Sequence, residues 1–401
     1  MERFLDQAEI LLQDAVQSHD ISTLVVLHRL RDLTNVLDNL KLYNECRLTG
    51  NCALDLAEAL GRRSLEFRHE QAETLALIAG LSVYQPRART LFIQAVSICE
   101  EVVANNASHS NKNSLFTVLS RAGSWTSDPL CTQWLGQAVQ LMTQELPPTM
   151  VPPEHRGTIY NNYGIGLQQL KQYANAMEAY YKAISTLRSL AIHNPVKHNY
   201  YLGVSLMNVG VTLTMLGKCG DAIGAYKEAL ELGRAMSAQR PLQYNLLMAR
   251  TLDNYAATLG RLSQVAAAAE VAKEAISHFR NIAQTGEEYT GLLCGALRKY
   301  GYACYLLGQH AEAVLAYQES IPLQHAIATA DSEEEGNLRI SLHNIADSFH
   351  ALDKHAEANV AGFEALERNH WRVLITCNYA PDFRSCFVCQ NAMTLDSTTP
   401  P

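Results

Sequence analysis

"MNVGVTLTMLGKCGDAIGAYKEALEL", Met207–Leu232, carries two patterns that decide how the chain folds. Ala222, Tyr226 and Ala229 stand at i, i+4 and i+7, so a helix presents them on one face as small, aromatic, small. A neighbouring helix can approach such a face closely and pack around the ring. Just before it, "MLGK" places Gly217 where a helix can end on a left-handed residue. The stretch reads as a helical hairpin, two helices joined by a tight turn.

The pattern returns along the chain. "NNYG" ends at Gly164, "MNVG" at Gly210, "DNYA" at Ala256, "RKYG" at Gly301 and "HNIA" at Ala346, in steps of 46, 46, 45 and 45 residues. Six residues after each of these small anchors stands a leucine: Leu170, Leu216, Leu262, Leu307 and Leu352. Twelve after stands an alanine: Ala176, Ala222, Ala268, Ala313 and Ala358. "AEAVLAYQESI" repeats the small–aromatic–small face with Ala313, Tyr317 and Ser320, after a "LLGQ" turn with Gly308. A register kept this long is the signature of stacked structural repeats.

Upstream the register loosens. Ala88, Phe92 and Ala95 keep the spacing; Cys46, Gly50 and Ala53, and Cys131, Leu135 and Ala138, keep it less closely. They imply anchors at Thr34, Ala76 and Leu119. The sequence thus predicts an all-α, right-handed α-solenoid of about eight long hairpins. Residues 1–21 read as an N-terminal capping helix, 22–146 as diverged repeats one to three, 147–370 as regular repeats four to eight, and 371–401 as a cysteine-containing cap and tail. The proline cluster "ELPPTMVPPEH", Glu145–His155, is the expected bend.

Small–aromatic–small on a second helix, with a small anchor on the first, resembles the tetratricopeptide repeat (TPR). An ordinary TPR is about 34 residues, and the longer repeats here resemble the kinesin-light-chain-like type found in fungal TPR proteins. That resemblance implies that the first helix of each hairpin lines a concave groove. The residue two before the anchor is turned by about 200° from it, at about 100° per residue, and is expected to face the groove. Asn162, Asn208, Asn254 and Asn344 occupy that position, with Lys299 in the remaining rung. A carboxamide offers the donors and acceptor that a peptide backbone needs. The resemblance to TPR proteins with asparagine ladders implies peptide binding. Bridging between neighbouring helices is the competing reading of the same residues.

Around the ladder, Arg250, Arg298 and Lys299 form a basic group in an acidic protein, suited to a carboxylate. Pairing with Asp253 is the alternative. Tyr302 and Tyr305 are placed to pack an apolar side chain, or to fill the repeat core. His343, Asp347 and His350 lie at i, i+4 and i+7, an arrangement that suits an acid–base pair or a shared ligand. The two histidines are about 10 Å apart along a helix axis, too far for all three to hold one ion. In the tail, Cys386 and Cys389 have C-x-x-C spacing, and Cys377 with His370 would complete a zinc set. "CNYAPDFRSCFVC" reads equally as a cap over the last repeat, and the close pair as a redox dithiol.

Composition bounds the rest. The 401 residues are 48% hydrophobic and 18% charged, with net charge −8 and no long run of one sign, so nucleic acid is not the expected partner. No apolar run approaches the roughly 18 residues of a membrane span. The start, "MERFLDQAEILLQDAV", mixes acids into an amphipathic pattern and does not read as a signal peptide. Ten scattered cysteines then read as reduced, buried hydrophobes of a cytoplasmic protein. No phosphate loop, HExxH or nucleophile elbow is present. The expected function is a protein- or peptide-binding module for an extended segment, acidic where it meets the basic group, acting as adaptor or regulator. The alternatives are a solenoid enzyme or small-ligand sensor built on the His343 face, and a scaffold or sensor arm of a larger receptor or protease system.

Overall fold

The computed structural model describes residues 21–64, 67–125, 129–286, 289–327 and 333–367. Nearly all of the expected N-terminal capping helix, and all of the expected 371–401 cap, lie outside them. Every regular element among the described residues is helical, and the architecture is an all-α solenoid of hairpins. None of these helices is long and apolar enough to cross a membrane.

The chain divides into two compact units, Met1–His193 and Asn194–Pro401. The first holds four hairpins: α1 (Ile21–Asn39) with α2 (Tyr43–Arg63), α3 (Arg68–Ala79) with α4 (Gln85–Asn105), α5 (His109–Gly123) with α6 (Pro129–Gln140), and α7 (Pro153–Gln169) with α8 (Tyr173–His193). The second holds four more: α9 (Pro195–Met215) with α10 (Cys219–Met236), α11 (Pro241–Arg261) with α12 (Val265–Ala283), α13 (Thr290–Leu306) with α14 (His310–Ile327), and α15 (Glu333–Ala351) with α16 (His355–Glu367). The proline cluster falls inside the first unit. Pro147, Pro148 and Pro152 occupy the connection after α6, and Pro153 opens α7, where a missing N–H costs nothing.

Turn chemistry sets the hairpins. Six of them close on a left-handed residue seven places after the anchor: Lys41, Lys171, Gly217, Ser263, Gly308 and Asp353, with φ of 59°, 60°, 75°, 59°, 70° and 59°. In each, the next N–H bonds back to the carbonyl three places after the anchor, as in Gln172 N to Leu167 O at 2.8 Å and Lys218 N to Leu213 O at 2.9 Å. This Schellman arrangement satisfies carbonyls that the helix end would orphan. Glycine supplies the conformation in only two of the six. The leucines six places after the five regular anchors sit in these turns, 36–42% exposed, and Leu40, six places after Thr34, is 62% exposed.

Packing within a hairpin obeys a size rule. Sixteen residues after the glycine anchors Gly164, Gly210 and Gly301 come Tyr180, Tyr226 and Tyr317, all fully buried. A Cβ on Gly164 would meet the Tyr180 ring at 2.6 Å, and one on Gly301 the Tyr317 ring at 3.1 Å; Gly210 is tighter still against Tyr226. Where the anchor is Ala256 or Ala346, the facing residue is Ala272 or Gly362. Among the five regular repeats the tyrosine ring therefore stands only against a glycine, and an alanine anchor faces another small residue.

Within each unit, neighbouring first helices touch one another, as α1 with α3, α3 with α5, α9 with α11 and α13 with α15 do, while no neighbouring second helices pack as closely. The first helices therefore line the tighter side of each stack. Seven cysteines fall among the described residues, all free, and all but Cys52 buried. Burial pushes the thiol of Cys46 up to about 11 and that of Cys99 up to about 12, as expected of packing residues rather than nucleophiles.

Candidate binding face

In the second unit the first-helix face is formed by α9, α11, α13 and α15. The buried anchor turns the residues at −6, −3, −2 and +1 outward to different degrees. Asn208 and Asn254 are half-buried on this face, and Asn254 makes no side-chain hydrogen bond among the described residues. Arg250 is exposed and Arg298 half-buried; neither has an ion pair or hydrogen bond there. Lys299 differs. Its Nζ lies 2.6 Å from Asp253 Oδ2, tying α13 to α11. Two of the three expected cations are thus unneutralised, and the third already has its carboxylate.

The two end rungs of the expected ladder have other partners. Asn162 lies in the first unit, where its Nδ2 donates to Ser124 Oγ at 2.9 Å across α5 and α7. Asn344 is buried, 6% exposed, and its Nδ2 donates to Tyr317 Oη at 3.0 Å. The sequence expectation placed Asn344 in the groove. The structure turns it inward because Tyr317 needs a partner. In the equivalent position Tyr226 Oη finds Thr214 Oγ1 at 3.4 Å, itself 2.8 Å from Thr258 Oγ1. At Tyr317 the residues corresponding to those threonines are Tyr305, bonded elsewhere, and Ser348, whose hydroxyl donates to its own helix at Asn344 O. Asn344 fills the gap.

Tyr302 and Tyr305 stack with ring centroids 6.5 Å apart at 19°, Tyr302 exposed and Tyr305 half-buried. Tyr305 Oη donates to Asp347 Oδ2 at 3.2 Å, and His343 Nε2 lies 3.7 Å from the same oxygen. His350 does not join them. It sits beside the α15–α16 turn, with Nδ1 3.2 Å from Nδ1 of His355 at the start of α16. The expected trio therefore splits into a Tyr305–Asp347–His343 cluster and a histidine pair. No three His, Cys, Asp or Glu side chains among the described residues are grouped to hold a metal. His370, Cys377, Cys386 and Cys389 lie outside those residues.

The first unit carries a charged network that sequence reasoning missed. On its first helices, Arg31 Nη1 donates to Glu70 Oε2 at 2.9 Å, His28 Nε2 lies 3.1 Å from the same oxygen, and Arg31 Nη2 is 3.5 Å from Glu73. Arg31 and Glu70 keep only 14% and 13% of their side-chain exposure. His69, beside Glu70 in sequence, and then His28 and Arg31 hold the Glu70 carboxyl down to about 2. The partners are about 40 residues apart, so the available signal was a matching of −6 and −3 positions between the diverged anchors Thr34 and Ala76.

No protein-family model matches the sequence, and no curated protein matches it. Solved structures do. The chain is similar to the apo form of RapI, at 10% identity over 86% of this chain and 97% of that one, with TM-score 0.55. It is similar to a signal-transduction ATPase with numerous domains from Pyrococcus horikoshii that has a tetratricopeptide repeat sensor, at 12% identity over 91% of this chain and 52% of that one, TM-score 0.54. A Podospora anserina putative kinesin light chain with TPR-like repeats aligns at 15% identity over 54% of this chain, TM-score 0.39. The fold is that of the TPR-like helical-hairpin solenoids.

Proposed function

We propose that the second unit is a protein-binding module that holds an extended, acidic segment against α9, α11, α13 and α15. The observation that carries this reading is the pair Arg250 and Arg298. Two guanidiniums without an ion pair, on neighbouring first helices of a protein of net charge −8, are suited to carboxylates from outside. The Asn254 amide, with donor and acceptor unused, is suited to a peptide group. Tyr302 offers an apolar platform. Lys299 serves the fold through Asp253 and is not part of the contact. Asn208 joins Asn254 in a shorter ladder of two, and the role read for such a module is that of an adaptor or regulator in the cytoplasm.

The likeness to a protein with a TPR sensor favours one second reading, a sensor arm working with other domains, because this chain spans about half of that protein's length. It differs in what surrounds the module, not in how the face binds. The enzyme reading has weaker support, since Asp347 is shared between Tyr305 and His343 and His350 is turned away.

A selection from random twelve-residue displayed peptides against the full chain tests the proposal. Acidic sequences are expected to be enriched, and to lose about tenfold or more in affinity against a folded Arg250→Ala, Arg298→Ala variant. Enriched peptides with no acidic bias, or binding unaltered by the double substitution, would overturn it.

A further inference from the structure

The second-helix face of the second unit changes character along the stack. Seventeen residues after the anchors, α10 and α12 present Lys227 and Lys273, and α12 adds Glu270 and Glu274 beside them. These are the solvated outer faces expected of amphipathic helices. Fourteen residues after the anchors, where α10 and α12 have Gly224 and Glu270, α14 and α16 hold Leu315, 67% exposed, and Val360, 70% exposed; at seventeen, α16 has Phe363, 55% exposed, and α14 has Gln318. Single exposed apolar residues are ordinary, but several together mark a surface that something covers.

Of these, Val360 also lines a groove. It runs between α14 and α16 over α15, with a volume of about 460 Å³, and Ile321, Leu342, Ile345 and Phe349 make its floor. Two carboxylates stand at its rim. Glu364 Oε1 is 2.9 Å from His325 Nε2, while Glu357 is exposed with no ion pair among the described residues. The groove therefore fits an apolar segment that carries positive charge.

Such a segment is attached to α16 itself. After Glu367 the sequence continues for 34 residues, and its first half reads "WRVLITCNYAPDFRSCFV", Trp371–Val388. Val373, Leu374, Ile375, Phe383, Phe387 and Val388 give it apolar bulk, and Arg372 and Arg384 outnumber Asp382. Reach is no obstacle. A helix of 13 residues is about 20 Å long, and about six extended residues run back along it.

We infer that residues 371–388 fold back and lie in the groove between α14 and α16, covering Val360, Phe363 and Leu315 and setting Arg372 or Arg384 against Glu357. The cover sits on the second-helix side, so the first-helix face stays open to a partner. It also accounts for the apolar character of α14 and α16, whose counterparts α10 and α12 have no tail to receive.

The full chain with Val360 replaced by the photo-crosslinker p-benzoylphenylalanine tests this. Irradiation at low concentration is expected to link position 360 to a peptide within 371–388 of the same molecule. A Leu374→Asp, Phe383→Asp, Phe387→Asp variant with the parental circular dichroism spectrum is expected to lose that link. Should that variant misfold, Phe387→Ser alone is read in the same way, with a several-fold loss expected. A link between two copies, growing with concentration, would assign the groove to self-association and overturn the proposal. So would links to no part of the tail, or a tail link indifferent to these substitutions.

Discussion

The two compact units share one hairpin and use its first-helix face in opposite ways. In the first unit several of the polar groups there are spent on one another: Arg31 and His28 on Glu70, Arg31 again on Glu73, and the Asn162 amide on Ser124, while Arg121 has no ion pair among the described residues. In the second, Lys299 and Asp253 are paired but Arg250, Arg298 and Asn254 are left unused. A polar group satisfied inside the protein contributes to stability, whereas one left open has binding energy to offer. The contrast separates residues that hold a repeat stack together from residues available to a partner, although both kinds sit at the same register positions.

The sharpest way to strain this comparison is through what the units have in common. Tyr180→Ala in the first unit and Tyr226→Ala in the second should each cost about 3–5 kcal/mol, since both empty a fully buried ring site beside an anchor glycine. Urea unfolding monitored by circular dichroism measures it. Unequal losses would mean that the units differ in their cores as well as in their faces.

Next in size is the Glu70 network. Glu70→Gln should lower stability by about 1–3 kcal/mol at neutral pH by leaving Arg31 without its main acceptor. The sign with pH follows from the depressed carboxyl. Its contribution is fully present above its ordinary value of 4.5 and is lost as pH falls from there towards about 2. Urea midpoints at pH 6 and pH 3 should therefore converge between Glu70→Gln and the parent at the acid end. Curves that stay parallel would remove Glu70 from the account.

Binding gives the third test. Arg298→Ala should weaken an acidic peptide about tenfold, or about 1.4 kcal/mol, whereas Lys299→Ala should change it about twofold because Asp253 already holds that ammonium. Lys112→Ala, which breaks a 2.8 Å pair with Glu145 in the first unit, should leave peptide affinity unaltered. Fluorescence anisotropy across the three variants ranks them, and equal effects would erase the distinction between open and satisfied cations.

The smallest effect lies in the turns. Ser263→Gly in the second unit and Lys171→Gly in the first should each raise stability by about 0.5–1 kcal/mol, because both residues now hold φ near +60°. Thermal melts of the two variants would show whether the turns are equally strained in the two units.

The fold was legible because the anchor and the aromatic residue face each other within one hairpin, sixteen positions apart, and local spacing carries that information. Gly217 and Gly308 announced their turns in the same local way; Lys171, Ser263 and Asp353 make the same turn without the signature residue. The candidate face was legible only in part. Periodicity orients Asn344 like Asn254, yet its direction is decided by whether Tyr317 has a hydroxyl within reach, as Tyr226 does. Likewise, nothing near Lys299 in the sequence distinguishes it from Arg298, and it is Asp253, 46 residues away, that does. Local pattern reports helices and cores; which polar groups remain open is settled between repeats.

The uniform three-residue turns, Leu170–Gln172, Leu216–Lys218, Leu262–Gln264, Leu307–Gln309 and Leu352–Lys354, contrast with the connections from one hairpin to the next, which run from the single Asn194 to the twelve residues Leu141–Pro152. In the second unit drift in chain length has therefore been confined to one edge of the stack; in the first, the α3–α4 and α5–α6 turns are themselves five residues long. An affinity tag or a grafted loop inserted between Ser237 and Arg240 extends a connection that already varies, while the same insertion at Gly217 breaks the bond that shuts a hairpin. The repeats of the second unit are a scaffold that can be lengthened from one side only.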